Sequence, residues 1–343
     1  MAAAAKLHLD YPRLADIRQH PATWWRDVLA IVHYAHEGAA PPLPLADLPA
    51  AHVMMPVLAG LDGTVEVWRL AGPMSSGELG RVQYRRSQRL LFAALNIAEQ
   101  EFATSTGDSP ASPLRSATRA AYVELFGALS ALGYPHPLRI WNVLPEINGQ
   151  SRDGERYWDF NDGRQEAFMG VERDIRGNVP AASALGSPQA GPLTVYCIAS
   201  PQVPIALENP RQSHAWDYPP RYGPCSPTFA RACIERGPTQ TLFVSGTASI
   251  VGHETAHPGD VCAQTRETVR NLRAVLAAAN ERLGAERFAL ERLSYKVYVR
   301  RSEDRSNIEQ ELRRAIGPAA RALYLKADIC RRDLLVEIEA VGS

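Results

Sequence analysis

Apolar positions along the chain fall into runs of two periods, and the same order of runs occurs twice. In the second half, QTLFVSGTASI (240–250) is a β-rich run that ends in Gly and small residues. Val261, Thr265, Val269, Leu272, Val275, Leu276, Ala279 and Leu283 then keep helical spacing, which predicts a helix over 261–284. FALERLSYKVYVRR follows, and its Leu293, Tyr295, Val297 and Val299 alternate as on a strand with one buried face. A helix near 303–316 and two short strands, 322–329 and 334–341, complete the pattern. In the first half, VQYRRSQRLLFAALNI (82–97) precedes a helix at 117–133 and a strand at 138–147. Strand, helix, strand, twice over, predicts an α+β fold of two related modules, each laying helices on one face of a mixed sheet.

Breaks in this pattern divide the chain. Residues 37–50, EGAAPPLPLADLPA, read as a loop after an N-terminal arm, and TSTGDSPASP (104–113) as a shorter polar loop. Residues 200–229 hold seven prolines (201, 204, 210, 219, 220, 224 and 227) and keep no steady period. A stretch that long without regular structure is rare in a compact domain and is usually functional when ordered. The resulting division is an arm and linker at 1–49, an N-terminal module at 50–199, a Pro/Arg/Tyr-rich loop region at 200–234 and a C-terminal module at 235–343.

Charge narrows the partners. The 37 Lys and Arg balance 37 Asp and Glu, and no run of five like charges occurs, so neither nucleic acid nor an anionic membrane is expected as main partner. No stretch of about 18 apolar residues is present to span a bilayer. MAAAAKLHLDYPRL lacks the charged-then-apolar order of a secretory signal. Cys197, Cys225, Cys233, Cys262 and Cys330 are odd in number and form no CxxC, which suggests reduced thiols and a cytoplasmic location.

Two motifs near residue 250 invite chemistry. His253-Glu254-Thr255-Ala256-His257 spells the zinc-hydrolase signature, which works only with both imidazoles on one helix face. Pro258 directly follows His257 and pushes it out of the α region, so the helix is expected to begin at Pro258 or Asp260, after the motif. A turn that caps the helix is the preferred reading, and no metal is assigned. GTASIVG (246–252) lacks the residues of a phosphate loop or nucleophile elbow and reads as a tight turn, or as backbone lying close to a ligand.

The last strand carries the sharper candidate. In Leu335-Val336-Glu337-Ile338-Glu339-Ala340-Val341 the even positions form one apolar face, and alternation puts two carboxylates on the other, roughly 6–7 Å apart. By base rate such a face meets solvent. Leu335 and Val341 on the same face argue for the alternative, since a carboxyl among apolar neighbours has a raised pKa and serves as a proton donor near neutrality. Cys330 opens the preceding turn, Cys330-Arg331-Arg332-Asp333. The long loop adds Asn209, Arg211, Gln212, Trp216, Tyr218, Arg221, Tyr222 and Arg231, and the segment 156–164 (RYWDFNDGR) is similar in kind. Arginine forks and tyrosine hydroxyls together suit a small di-acid.

The run LFVSGTASIVGHETAHPGDVCAQTRETVRNLRAVL, the loop ENPRQ…YPPRYGPCSPTFARA and the ending ADICRRDLLVEIEA together resemble the chorismatases. The part from about 235 to 343 also resembles the RidA/YjgF fold, which implies two RidA-like (chorismate-mutase-like) modules. Chorismatases release the enolpyruvyl group of chorismate as pyruvate and need no cofactor. The resemblance implies Glu337 as catalytic acid, Cys330 at the position found in 3-hydroxybenzoate formers, and Ala248 at a small-residue position where the hydrolytic subtype tends to carry Ala. That mixture best suits a bifunctional subtype giving 3- and 4-hydroxybenzoate, with a trans-dihydroxycyclohexadiene carboxylate as the hydrolytic alternative. An RidA-like imine deaminase or metabolite sensor is the other alternative. For the two carboxylates of chorismate, Arg164 and Arg221 are the candidate clamps, with Tyr157, Tyr218 and Tyr222 as hydroxyl donors, and with Ala248 and Glu339 completing the substrate site. RidA relatives are trimers, so a homo-oligomer is expected by analogy.

Overall fold

The alternating and helical runs become sheet and helix close to the residues where each is predicted. The structure is a computed structural model that describes residues 5–34, 48–59, 63–103, 111–152, 154–188 and 190–342. Most of the expected loop segments 37–50 and 104–113 lies outside the described residues. Two seven-stranded sheets dominate. The N-terminal sheet runs in the order Asp328–Ile329, Ala181–Ser187, His136–Pro145, Leu193–Ser200, Leu91–Ile97, Val82–Arg86, Ser75–Leu79. The C-terminal sheet runs Val57–Ala59, Arg321–Lys326, Ser294–Val299, Val336–Gly342, Leu242–Ala248, Ala232–Ile234, Ile205–Leu207.

The two successions are the same topology written twice. Ala181–Ser187 is parallel to His136–Pro145, and Arg321–Lys326 is parallel to Ser294–Val299. The neighbouring pairs are antiparallel in both sheets. A parallel pair needs a crossover, and the helices Arg156–Gly170 and Arg305–Ile316 supply it in the respective modules. The longer helices, Pro113–Ala131 and Val261–Leu283, lie beside them. The edge strands are exchanged: Asp328–Ile329 borders the N-terminal sheet, and Val57–Ala59 borders the C-terminal one.

Local chemistry sets the helix ends. Ser112 accepts from the Arg115 amide with Pro113 at the first helical position, and Asp260 accepts from the Ala263 amide. Gly284 ends the second long helix in the left-handed conformation. Three readings change. Residues 82–97 form a hairpin of two strands, turned at Ser87–Leu90, where the Ser87 amide donates to the Leu90 carbonyl. The segment 156–164 is the start of a helix rather than loop, because its polar residues line one side of a helix whose other side is core. Residues 8–34, read as an arm, contribute strands to a separate four-stranded sheet with Ala50–Val53 and Val65–Arg69.

Three apolar layers hold these pieces. Each helix pair packs on one face of its own sheet. The opposite faces of both sheets meet the four-stranded sheet in a third core containing Trp68, Phe92, Trp141, Tyr196, Phe243 and Tyr298. Buried aromatics of this size each contribute on the order of 1.5–3 kcal/mol. Among the described residues no helix is long and apolar enough to cross a membrane.

The helices Pro113–Ala131 and Arg156–Gly170 cross at a glycine. A Cβ on Gly163 would lie 2.2 Å from the Arg115 carbonyl oxygen and 3.0 Å from the Thr118 Cβ, so backbone itself stands in the way. Gly163→Ala is therefore expected to destabilise the protein by about 1–3 kcal/mol in denaturant unfolding. Unchanged stability would show that the two helices are free to separate.

Candidate active site

The last strand, Val336–Gly342, is central in its sheet, with Leu242–Ala248 on one side and Ser294–Val299 on the other. Val336, Ile338 and Ala340 face the helices. Alternation therefore turns Glu337 and Glu339 towards the N-terminal sheet, where they are only 4% and 2% exposed. The face that base rate gives to solvent is covered by the other module. Leu335 departs from the expected pattern: it lies just before the strand and packs in the helix-side core.

The two carboxylates have different surroundings. Glu339 accepts from Arg139 at 2.6 Å, Trp141 Nε1 at 2.7 Å and Tyr298 at 3.0 Å, and pairs with Lys296 at 2.9 Å. Burial opposes its ionisation, but Lys296 and Arg139 overcome this and hold it well below the usual carboxylate range. Among the described residues none hydrogen-bonds or ion-pairs with the Glu337 side chain. Burial, and then the Glu339 charge, push Glu337 up to about 8 against the opposing pull of Arg139, Arg231 and Arg300. One strand thus carries an anion and, two residues away, a carboxylic acid that keeps its proton at neutral pH.

Space for that acid comes from the facing strand. Ala248 pairs directly with Glu337, and the register slips between Val244 and Thr247 as at a bulge. A Cβ on Gly246 would sit 1.9 Å from Glu337 Oε1 and 3.0 Å from the Ser183 Cβ. The glycine in the Ser245-Gly246-Thr247-Ala248 run thus lies directly under the Glu337 carboxyl, a close approach of backbone to a side chain of the neighbouring strand. These residues stay in a strand up to Ala248.

Glu337 opens into a cavity of about 280 Å³ at the seam between the modules. Tyr157 and Arg164 reach it from the helix Arg156–Gly170, and Tyr218, Arg221 and Tyr222 from the long loop. Ala248 and Cys330 share a small apolar cluster with Ile250, Ile329 and Leu334 and line another wall. Glu339 is the exception among the predicted site residues. It does not line the cavity, because its oxygens are taken up by the buried cations and donors behind the strand.

The cations divide by depth. Arg164 is buried, donates to Asn161 Oδ1 at 2.8 Å, and leaves its Nε without a hydrogen bond. Arg231, also buried, donates to the Ser213 carbonyl and Tyr218 hydroxyl and likewise leaves Nε without one. Arg331 lies against the Tyr222 ring at 3.8 Å, donates to the His253 carbonyl, and keeps a buried Nη2 unbonded. Arg221 is half exposed and ion-paired with Glu254 at the mouth. Buried guanidinium donors thus line the inner cavity at Arg164, Arg231 and Arg331, with Arg221 at the rim. Arg331 sits next to Cys330 in the turn motif and could have been found from it; Ser183, in a strand of small residues, gave no signal.

The loops that carry this lining are pinned. Asn271 of the helix Val261–Leu283 donates to the carbonyls of Ala248 and Ile250, and accepts from Arg211. Arg300 donates to the Leu334, Ile329 and Arg331 carbonyls and to Asp328, fixing the turn that presents Cys330. Burial, then the Glu337 charge, push the Cys330 thiol up to about 12, so it is neutral near pH 7. A standing thiolate base is thereby disfavoured. Burial also raises the Tyr157 phenol, keeping it a donor.

The HExxH run takes no part in such a lining as a helical motif. Glu254–Thr255 is a strand of a two-stranded hairpin, His257 has φ +58°, and the helix begins at Val261 after the Asp260 cap. The imidazoles therefore lack the shared helix face that zinc hydrolases use. Among the described residues no group of three or more potential ligands is assembled.

Residues 66–199 match the family described as chorismatase FkbO/Hyg5-like, N-terminal. The chain is 36% identical over 326 residues to a 3-hydroxybenzoate synthase of Streptomyces hygroscopicus, covering 92% of each. It is 38% identical over 292 residues to a chorismatase of Streptomyces rapamycinicus, covering 82% of each. A crystal structure of a chorismatase superposes with a TM-score of 0.84 at 30% identity over the whole of both chains.

Because the atom in its way is the end of a side chain, Gly246→Ala is expected to fold while driving the Glu337 carboxyl off its place. A crystal structure of that variant tests this, and an unmoved carboxyl would show that the facing strand yields instead.

Proposed function

The chain belongs to the chorismatase family, and from that premise we propose that it cleaves chorismate to pyruvate and 3-hydroxybenzoate, together with 4-hydroxybenzoate. The observation that carries this reading is the Glu337 carboxyl, buried in the cavity without a protein partner and proton-bearing near neutrality. An enol ether breaks once its terminal methylene is protonated, because the ether oxygen stabilises the resulting cation. Carbon protonation needs a strong, aimed acid, which is the role of Glu337. The cation is captured by water or by the neighbouring ring hydroxyl, and a ring C–O bond breaks. Transfer of a ring proton to the Glu337 carboxylate, formed when its proton went to the methylene, then restores both aromaticity and the acid, and the chorismate atoms are divided between pyruvate and a hydroxybenzoate with no net water.

Two substrate carboxylates call for two sets of donors. Arg164, with Tyr157 on the same helix, fits one, and Arg331 and Arg231 beside Tyr218 and Tyr222 fit the other. Arg221, paired to the exposed Glu254, exchanges that partner for substrate at the mouth. The aromatic product is supported by Cys330, whose neutral thiol lies in the cavity wall beside Ala248, and by the relative named 3-hydroxybenzoate synthase. Cys330, as a neutral thiol, steers the second stage by shape and weak hydrogen bonding. The alternative reading, supported by Ala248, is a hydrolytic chorismatase in which water captures the cation and a trans-dihydroxycyclohexadiene carboxylate is released with pyruvate.

Glu337→Gln keeps the shape and removes the proton, so pyruvate release from chorismate is expected to fall by on the order of 10²–10⁴-fold with a near-native melting temperature. The acid works protonated, so wild-type activity is expected below about pH 8 and is lost as pH rises through that value. Pyruvate release that survives the substitution would remove Glu337 from the role of acid. Cys330→Ala is expected to shift the product away from 3-hydroxybenzoate, as read by chromatographic separation of the aromatic acids; an unaltered ratio would count against steering by the thiol.

A further inference from the structure

The four-stranded sheet of residues 8–69 sends one charge into the layer between the large sheets. Glu66, on the strand Val65–Arg69, is fully buried, and its acceptors are filled by the Tyr34 hydroxyl at 2.7 Å and Trp68 Nε1 at 2.5 Å. Lys296 Nζ, on the C-terminal sheet, lies 2.8 Å from Glu66 and 2.9 Å from Glu339. Arg139, on the N-terminal sheet, closes on Glu339 from the other side at 2.6 Å. Glu66, Lys296, Glu339 and Arg139 thus form a chain of alternating sign across three sheets, ending two residues from Glu337. Buried charges hold such an arrangement only while each keeps its partner.

We propose that Glu66 is a positioning residue for the reaction: through Lys296 it fixes Glu339 as an anion behind Glu337 and balances the two buried cations, so that Glu337 stays in its proton-donor form. This rests on the reading of Glu337 as the acid. The charged and titratable groups around Glu337 are Glu339 on its own strand, Arg139 on the N-terminal sheet, Tyr157 and Arg164 of the helix Arg156–Gly170, Tyr218, Arg221, Tyr222 and Arg231 of the loop, Arg300, and Cys330, Arg331, Arg332 and Asp333 of the turn. Around Lys296 and Glu339 stand Glu66, Arg139 and the phenols of Tyr11, Tyr196 and Tyr298. Of these, Glu66 and Tyr11 come from outside the two seven-stranded sheets.

The sign follows from the count of charges. Glu66→Gln leaves two cations against one anion, and a positive surplus favours the Glu337 carboxylate. The alkaline limb of the pH profile of kcat/KM for pyruvate release is therefore expected to move to lower pH, by on the order of half to one unit. Lys296→Met leaves the opposite imbalance, so its limb is expected at or above the wild-type pH. The double variant, neutral again, is expected to bring the limb back towards wild type, and Glu66→Asp to leave it unmoved. A merely structural role would loosen the layer, admit water and move both single variants to lower pH; that result, or an unmoved limb in Glu66→Gln, overturns the proposal. Should Glu66→Gln fail to fold, the Lys296→Met limb alone decides by its direction. If the wild-type protein releases no pyruvate from chorismate, the proposed function is what fails. The same shifts are then read from the carboxylic C=O stretch of Glu337, identified against Glu337→Gln, in an infrared pH titration.

Discussion

Two glutamates two residues apart on one strand face must both be buried, and the protein satisfies them in opposite ways. Both cannot ionise cheaply in a low-dielectric layer. Glu339 takes the cations and the polar hydrogens and becomes the anion; Glu337 takes the cavity and keeps its proton. Neither state is intrinsic to the side chain. Each is set by what surrounds that position: Arg139 and Trp141 of the opposite sheet for one, open space over Gly246 of the adjoining strand for the other.

This division depends on the duplicated topology. A single module of helices on one sheet face leaves the other face uncovered, and carboxylates there would meet water. Placing two copies with their uncovered faces towards a common core makes that face an interior, and the cavity forms where the interior runs out at its rim. The exchanged edge strands, Asp328–Ile329 and Val57–Ala59, tie each module to its counterpart. The first of them leads directly into the turn that carries Cys330, so the same element that joins the modules also builds a wall of the site.

Depth also sorts the arginines. Arg164, Arg231 and Arg331 each leave a buried donor without a hydrogen bond, although Arg231 Nε has the Glu208 carboxylate 4.0 Å away. Arg221 is instead paired with Glu254 in solvent. A loop rich in proline and arginine gives no hint of this ranking, because depth depends on which segments of the other module close over it.

The periods of 3.6 and 2 were enough to find the long helices, the succession of strand and helix in each half and the duplication, because these record local burial on one face. Family likeness in three motifs pointed to Glu337, Cys330 and Ala248, and all three line the cavity. The helical nature of 156–164 was hidden by its polar, aromatic composition, since its amphipathic face borders a cavity rather than water. Glu337 and Glu339 look alike in sequence: same residue, same face, same strand. Only the tertiary structure separates them, because ionisation is decided by partners some 200 positions away (Arg139 for Glu339) and by the space that a facing glycine leaves.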